Sequence, residues 1–338
     1  MKILIRATNW IGDAVLSLPA LRAVRQRYPD ADIAVLARPW VVDLYKGERS
    51  IDRVIPLLGL PGVRAFAEKR RVVAALRRER FDLAILLPNS FESAALVFLG
   101  AAKRRVGYRR DGRSVLLTDA IPLPKPGELP RHERYYYPEL LRRAGIIDSL
   151  PEINEILFDA IPEARQRGVA LFAAQGIRGP VVGISPGAAF GGAKRWSAEG
   201  FAEAARQIAA RTDATVAVFG SAAEKPLCQQ VADATGGTNF AGATTLREFI
   251  DMTAACRIYL ANDSGAMHIA AALGVPCVTV FGPTDETATG PVGATARIVR
   301  EPVPCAPCKK RECPLGHHLC MVGVPAARVV AEALHLLS

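Results

Sequence analysis

No apolar run in the 338-residue sequence reaches the roughly 18 residues expected of a membrane-spanning helix. The opening MKILIRATNWIGDAV has a short apolar run that leads straight into a charged amphipathic segment. It does not read as a signal peptide, and the expectation is a cytoplasmic protein. The first strand–helix turn lacks G-x-G-x-x-G, which argues against a dinucleotide-binding oxidoreductase. The Gly-rich loop PGAAFGGAKRW does not fit G-x-x-x-x-G-K-[ST], so it is not a Walker loop. There is no sharp internal repeat and no catalytic metal constellation. Acidic charge is short in the first half, where residues 1–150 carry 27 Lys and Arg against 16 Asp and Glu. The remainder is near balance, with 16 against 17. The first half is therefore built to face nucleic acid, a membrane surface or a phosphorylated substrate, or it is a solvated basic face.

Half of the residues are apolar, with Gly and Pro scattered, and the length suits two globular domains. The chain opens as a βαβ unit: a strand at 2–7, a loop at 8–13, a helix at 14–28 and a strand at 33–37. Asp13 sits where the loop meets the helix. It reads either as an N-cap or as a general base exposed at strand ends, and a helix N-terminus would lower its basicity. A short strand at 51–57, a turn at Pro61–Gly62, an Arg-rich helix at 66–80 and a strand at 81–87 follow. Pro88-Asn89-Ser90 stands at the carboxyl end of that last strand. The basic clusters at 68–80 and 103–113, the second containing Tyr108, suit nucleic acid or a substrate with several phosphates and carboxylates. His132 reads as a surface residue ahead of a helix ending near 144.

A passage at 148–179 with one amphipathic helix leads to a second α/β block. A strand at 181–185 runs into PGAAFGGAKRW, and Ser197 caps the next helix. The glycines let backbone approach an anion, and Lys194 or Arg195 supplies charge. A strand at 215–219 ends at Gly220-Ser221, with Glu224 beyond it as a sugar-hydroxyl ligand or a first-turn helix charge. Then ANDSGAMHIAAALGVPCVTVF, residues 261–281, reads as strand end, turn, helix and strand. Asp263 and Ser264 either cap that helix or, with free amides at its N-terminus, receive a phosphate, with His268 one turn in. Ser185-Pro186-Gly187, Gly220-Ser221, Asp263-Ser264-Gly265 and Gly282-Pro283-Thr284 together describe a crevice for a nucleotide diphosphate. Cys228, Cys256 and Cys277 read as small core residues. Cys305-x2-Cys308-x4-Cys313-x6-Cys320 has metal-ligand spacing, for a structural zinc or else unliganded thiols, and His317 or His318 could replace one cysteine. A helix at 325–337 closes the chain.

TNWIGDAVLSLPAL at 8–21, LPNSFESA at 87–94, PGAAFGGAKRW at 186–196, FGSAAE at 219–224 and NDSGAMHIAAALGVP at 262–276 resemble the heptosyltransferases of glycosyltransferase family 9. The resemblance implies an α/β fold of GT-B architecture, two Rossmann-like domains with parallel sheets facing across a cleft. Residues 1–160 would bind the acceptor and 161–324 the nucleotide sugar, with 325–338 packing back toward the first domain. The implied donor is ADP-L-glycero-D-manno-heptose. The implied acceptor is the first heptose of the anionic lipid A–Kdo inner core, met at the cytoplasmic face of the inner membrane, with no nucleic acid involved. By likeness Asp13 is the general base of an inverting transfer. Lys194 and the amides near Ser264 and Gly265 stabilise the departing ADP, with His268 assisting. Asp263 holds donor hydroxyls, Glu224 the ribose or adenosine end, and Ser185 and Gly187 line the donor site. Asn9, Trp10, Gly12, Asn89 and Ser90 lie on the acceptor side. No cofactor is required for catalysis. The alternatives are a sister heptosyltransferase with another core acceptor, a non-catalytic sugar-nucleotide binder and a basic nucleic-acid-binding module.

Overall fold

The computed structural model describes residues 1–59 and 62–338; the turn expected at Pro61 lies outside them. The chain forms two compact units, Met1–Ile153 and Asn154–Ser338. The sequence reading divides it between 160 and 161. The passage between the two points is already fastened to the second unit, because the Phe158 N–H donates to the Ala272 carbonyl at 2.8 Å.

The first unit holds six strands: β1 (Lys2–Arg6), β2 (Asp32–Ala37), β3 (Arg53–Pro56), β4 (Leu83–Leu86), β5 (Arg104–Tyr108) and β6 (Asp119–Ile121). They run parallel in the order β3-β2-β1-β4-β5-β6. Its helices are α1 (Ile11–Arg27), α2 (Pro39–Tyr45), α3 (Gly62–Glu79), α4 (Phe91–Leu99) and α5 (Tyr136–Arg143). A parallel sheet is covered on both faces, so its strands need continuous rather than alternating apolar runs. ILI in β1, IAVLA in β2 and LAIL in β4 supply them, and every one of those residues is buried.

The second unit repeats the plan. Its strands are β7 (Val181–Ser185), β8 (Thr215–Val218), β9 (Thr238–Asn239), β10 (Ile258–Asn262), β11 (Cys277–Phe281) and β12 (Ala296–Arg300). They are parallel in the order β12-β11-β10-β7-β8-β9. The helices are α6 (Ile161–Ala174), α7 (Ala198–Thr212), α8 (Lys225–Thr235), α9 (Leu246–Ala254), α10 (Gly265–Ala272), α11 (Glu286–Thr289), α12 (Leu319–Val322) and α13 (Ala326–Leu337). The last of these packs on α7 and β11, within its own unit. Each sheet therefore reverses strand order beside its first strand, between β1 and β4 and between β7 and β10. Ligands of such folds bind outside the carboxyl ends of the strands at that switch.

Two features differ from the sequence reading. The strand at 277–281 is followed by a further one, β12, which pairs parallel to it. The cluster 103–113 is an open basic face only in part: Lys103, Arg109 and Arg110 are exposed, while residues 104–108 are a strand between two others. Arg104 pairs with Asp119 at 2.9 Å, Arg105 bonds to the Leu116 and Ala102 carbonyls, and Tyr108 is fully buried with its hydroxyl on the Tyr136 carbonyl. A buried tyrosine offers no platform for a nucleobase. Among the described residues no helix is long and apolar enough to cross a membrane.

Candidate active site

In the first unit the β1 end delivers the loop to Asp13. Arg6, buried at the end of β1, donates to the Asn9 side chain at 2.8 Å and also bonds the Ala7 carbonyl. The Trp40 indole donates to the Asn9 carbonyl at 2.8 Å. Burial and the neighbouring Arg38 push the Arg6 guanidinium down to about 10. Trp10 is the N-cap residue of α1 and makes no side-chain cap, leaving its indole exposed. Gly12 and Asp13 lie inside the first turn, so Asp13 is not the cap. Its half-buried carboxyl receives no hydrogen bond or ion pair among the described residues, and burial raises its pKa above the ordinary carboxylate value. The helix N-terminus would act the other way; desolvation prevails. An unpaired carboxylate of raised basicity at a strand end is equipped to take a proton.

Asn89 and Ser90 stand at the neighbouring β4 end. Ser90 caps α4 by accepting the Ser93 N–H. Asn89 donates to the Tyr136 hydroxyl at 2.8 Å and accepts from Arg113 at 3.2 Å. Both side chains thus shape the loop. Arg113, which the sequence reading passed over inside a basic cluster, is wholly buried. It also bonds the Pro88 and Tyr108 carbonyls and the Ser93 hydroxyl. Burial pushes it down to about 10.

In the second unit the switch between β7 and β10 is pinned by Asn262, a turn residue to which the sequence reading assigns no role. Its side chain is buried, accepts the Trp196 N–H at 3.0 Å and donates to the Pro186 carbonyl at 2.7 Å. Beside it, Lys194 Nζ lies 2.6 Å from Asp263 Oδ2, and the Thr284 hydroxyl donates to the same oxygen at 2.5 Å. Strand ends β7, β10 and β11 thereby converge on one carboxylate. Lys194 also sits over the Phe190 ring, 4.7 Å from its centroid. Ser264 is the N-cap residue of α10 yet makes no side-chain cap, and among the described residues its buried hydroxyl has no partner. The first amides of α10, from Gly265 onward, have no intrahelical acceptor, and buried His268 follows one turn later. Asp263, engaged by Lys194 and Thr284, is not the cap either. The arrangement is an ammonium, a hydroxyl and a helix N-terminus presented together, which suits an anion.

Two expected donor residues are engaged within their own unit. The Ser185 hydroxyl is 2.6 Å from the Tyr259 hydroxyl, buried. Glu224 closes a capping box, accepting from the Ser221 N–H and hydroxyl at 2.8 Å each. The other oxygen of Glu224 lies against Gly187, where an added Cβ would come within 2.0 Å of it. Gly187 thus lets a carboxylate reach the β7 end.

Cys305, Cys308, Cys313 and Cys320 are free thiols that line one pocket, with His317 and His318 on its wall. Backbone amides of His318, Leu315, Gly316 and His317 lower the Cys313 thiol from its ordinary value. Cys228, Cys256 and Cys277 are buried in the core.

The family model described as Glycosyltransferase family 9 (heptosyltransferase) matches residues 69–319. The lipopolysaccharide heptosyltransferase 2 of Salmonella typhimurium is 32% identical, over 100% of this chain and 99% of its own length. That of Escherichia coli K12 is also 32% identical over 100% of this chain, and 99% of itself. Among solved structures, E. coli ADP-heptose lps heptosyltransferase II superposes with a TM-score of 0.83 at 29% identity, covering 100% of this chain and 98% of that one.

Proposed function

The chain belongs to glycosyltransferase family 9, the heptosyltransferases, and from that premise we propose that it transfers L-glycero-D-manno-heptose from ADP-heptose to the first heptose of a lipid A–Kdo inner core. The observation that carries the donor half is the meeting of Lys194, Asp263, Thr284 and the uncapped α10 N-terminus at the second unit's switch point. A diphosphate is the ligand whose charge and acceptor oxygens match that set. The acceptor half rests on Asp13 and on the first unit's excess of basic residues.

The reaction then needs two acts. Asp13 removes the proton from the acceptor hydroxyl as its oxygen attacks the anomeric carbon. The bond from that carbon to the phosphate oxygen breaks, the configuration inverts, and ADP leaves with the electron pair. Lys194 and the α10 amides meet the charge that grows on the leaving phosphate. His268, behind them, supports the same side. The step needs no cofactor, and a metal at the C-terminal cysteines would be structural.

Exposed Trp10, Trp40, Phe66 and Phe91 support work at the cytoplasmic face of the inner membrane. Trp40 is bonded to the loop that bears Trp10. Lys69 and Arg38 both pair with Glu92, beside Phe91, at 3.3 and 3.5 Å. Exposed aromatics among basic residues suit an anionic lipid surface.

The test is transfer from ADP-heptose to purified inner-core acceptors bearing zero, one or two heptoses, with wild type and Asp13→Ala. Transfer to the one-heptose acceptor alone, lost in the variant while ADP still binds, supports the reading. Transfer to the heptose-free acceptor would move the protein to the sister activity. Tight nucleotide binding with no turnover on any acceptor would overturn the enzymatic reading.

A further inference from the structure

The transfer step leaves the cysteine segment after β12 without a task. Four thiols from three turns of chain share one pocket, and two of its remaining walls, Ala193 and Pro283, belong to the donor-side loops. The same pocket is also lined by His317 and His318. A bound thiophilic cation would take these sulfurs as thiolates, since the thiolate is the metal-ligating form of cysteine. The spacing C-x2-C followed by two further cysteines is that of a tetrahedral thiolate site. Among the described residues no three His, Cys, Asp or Glu side chains already stand close enough together to hold a metal ion, so binding has to draw the sulfurs inward.

The residues between Cys308 and Cys313 hold the loop of Lys194. The Arg311 carbonyl accepts the Ala193 N–H at 3.0 Å, and Glu312 accepts the Gly192 N–H at 3.1 Å. The Arg311 guanidinium lies over the Phe190 ring that also carries Lys194, 5.2 Å from its centroid. The Lys309 N–H donates to the Pro283 carbonyl at 2.7 Å, one residue before Thr284. Gly191 fits because its neighbour is backbone: an added Cβ would stand 2.3 Å from the Arg311 carbonyl oxygen.

We propose that Cys305, Cys308, Cys313 and Cys320 bind one thiophilic divalent cation, zinc or ferrous iron, and that this clip holds residues 309–312 against the loop presenting Lys194. The metal is structural and takes no part in bond-making. The clip's effect on nucleotide affinity rests on the donor-site reading above; the metal and the loop order do not.

The experiment uses the whole protein, purified without a metal-affinity column, and measures zinc and iron by elemental analysis with the visible spectrum recorded for iron–thiolate absorption. About one equivalent of zinc or iron per chain is expected. Cys308→Ser and Cys313→Ser should each lower that occupancy at least about tenfold, whereas Asp13→Ala should retain it. Hydrogen exchange then reads the coupling. Chelation of the wild type should speed exchange at residues 190–194 about tenfold, reversed by adding back the metal. Chelation of wild type keeps the test valid where a serine variant fails to fold. Wild type without metal, even after anaerobic loading with zinc or ferrous iron, would overturn the site. Metal that leaves with no change in exchange at 190–194 would overturn the clip. A metal-loaded protein with the exchange effect but no ADP binding would instead refute the donor reading and leave the clip standing.

Discussion

Lys194 Nζ stands 2.6 Å from Asp263 Oδ2 in surroundings where the two side chains retain 13% and 6% of their exposure. Such a pair is held by what surrounds it: Thr284 adds a bond to the same carboxylate oxygen, and the Phe190 ring lies under the ammonium. An incoming diphosphate would compete with the Asp263 carboxylate for the ammonium.

Removing one partner should therefore cost more than removing both. Asp263→Asn leaves the Lys194 ammonium without its counter-charge, and Lys194→Met leaves the Asp263 carboxylate with Thr284 alone. Each should lower stability by about 3–5 kcal/mol, while the double variant recovers part of the loss. Transfer activity should fall roughly 10²–10³-fold in Lys194→Met, the scale for a lost transition-state charge contact. Chemical denaturation and steady-state kinetics on the four proteins of the cycle check both. Strict additivity of the stability losses would refute the coupling.

Asp13 carries a different signature, because its carboxyl is unpaired and burial raises its pKa. The protonated form is the one the fold prefers. The wild type is therefore penalised at neutral pH, and the penalty fades as pH falls through the raised folded-state pKa toward the unfolded value. Asp13→Asn should unfold at higher temperature than wild type near pH 7, with the difference vanishing in acid below both values. Its kcat should drop roughly 10²–10⁴-fold, and ADP binding should be unchanged. The acid limb of the wild-type kcat/KM profile should lie above the ordinary carboxylate range and disappear in the variant. A variant less stable than wild type at neutral pH would contradict this account.

Both six-stranded sheets were legible where a strand is an apolar run ending in a polar turn, as with 181–185 before Pro186-Gly187. β5 was not, because RRVGY reads as charge. Its arginines pair with Asp119 and with the Leu116 and Ala102 carbonyls. β12 was missed for a like reason, since ARIVR carries two arginines at positions whose neighbours the sequence does not reveal. At the site, Lys194 and Asp263 were found separately from their loops, but their contact joins residues that only the sheet order brings together. Asn262 and Thr284 lay within recognised segments, but their roles as a pinning amide and a supporting hydroxyl were not legible, because such contacts have no motif of their own. Asp13 shows the converse: its position was clear, while the sign of its pKa shift depended on burial that no local pattern encodes.

Helix α6 crosses α9 at Gly168, where an added Cβ would stand 1.9 Å from the Asp251 carbonyl oxygen. That neighbour is backbone and cannot rotate away. Arg167 holds the same residue from the side, its guanidinium bonded to both Asp251 carboxylate oxygens at 2.8 Å. Gly168→Ala raises intrinsic helix propensity by up to about 1 kcal/mol, yet it should destabilise the second unit by about 1–3 kcal/mol, because overpacking outweighs propensity. Thermal denaturation decides the sign, and a stabilised variant would show that the two helices separate without loss.

Arg113 sets the final prediction, for the first unit. Its fully buried guanidinium spans the Tyr108 and Pro88 carbonyls, the Ser93 hydroxyl and the Asn89 amide oxygen. It therefore ties β5 to the loop after β4. Arg113→Met fills similar space but strands several buried acceptors, so the loss should reach about 3 kcal/mol or more. Arg113→Lys should recover little of it, because a single ammonium cannot satisfy acceptors spread around a planar fork. The charge is restored in that variant and the geometry is not, which separates the two contributions. Since Asn89 loses one of its two anchors, KM for the acceptor should rise in both variants while ADP affinity stays at the wild-type value. Full recovery of stability by lysine would mean that charge alone is what the site requires, and an unchanged acceptor KM would mean that the 88–90 loop does not meet the acceptor.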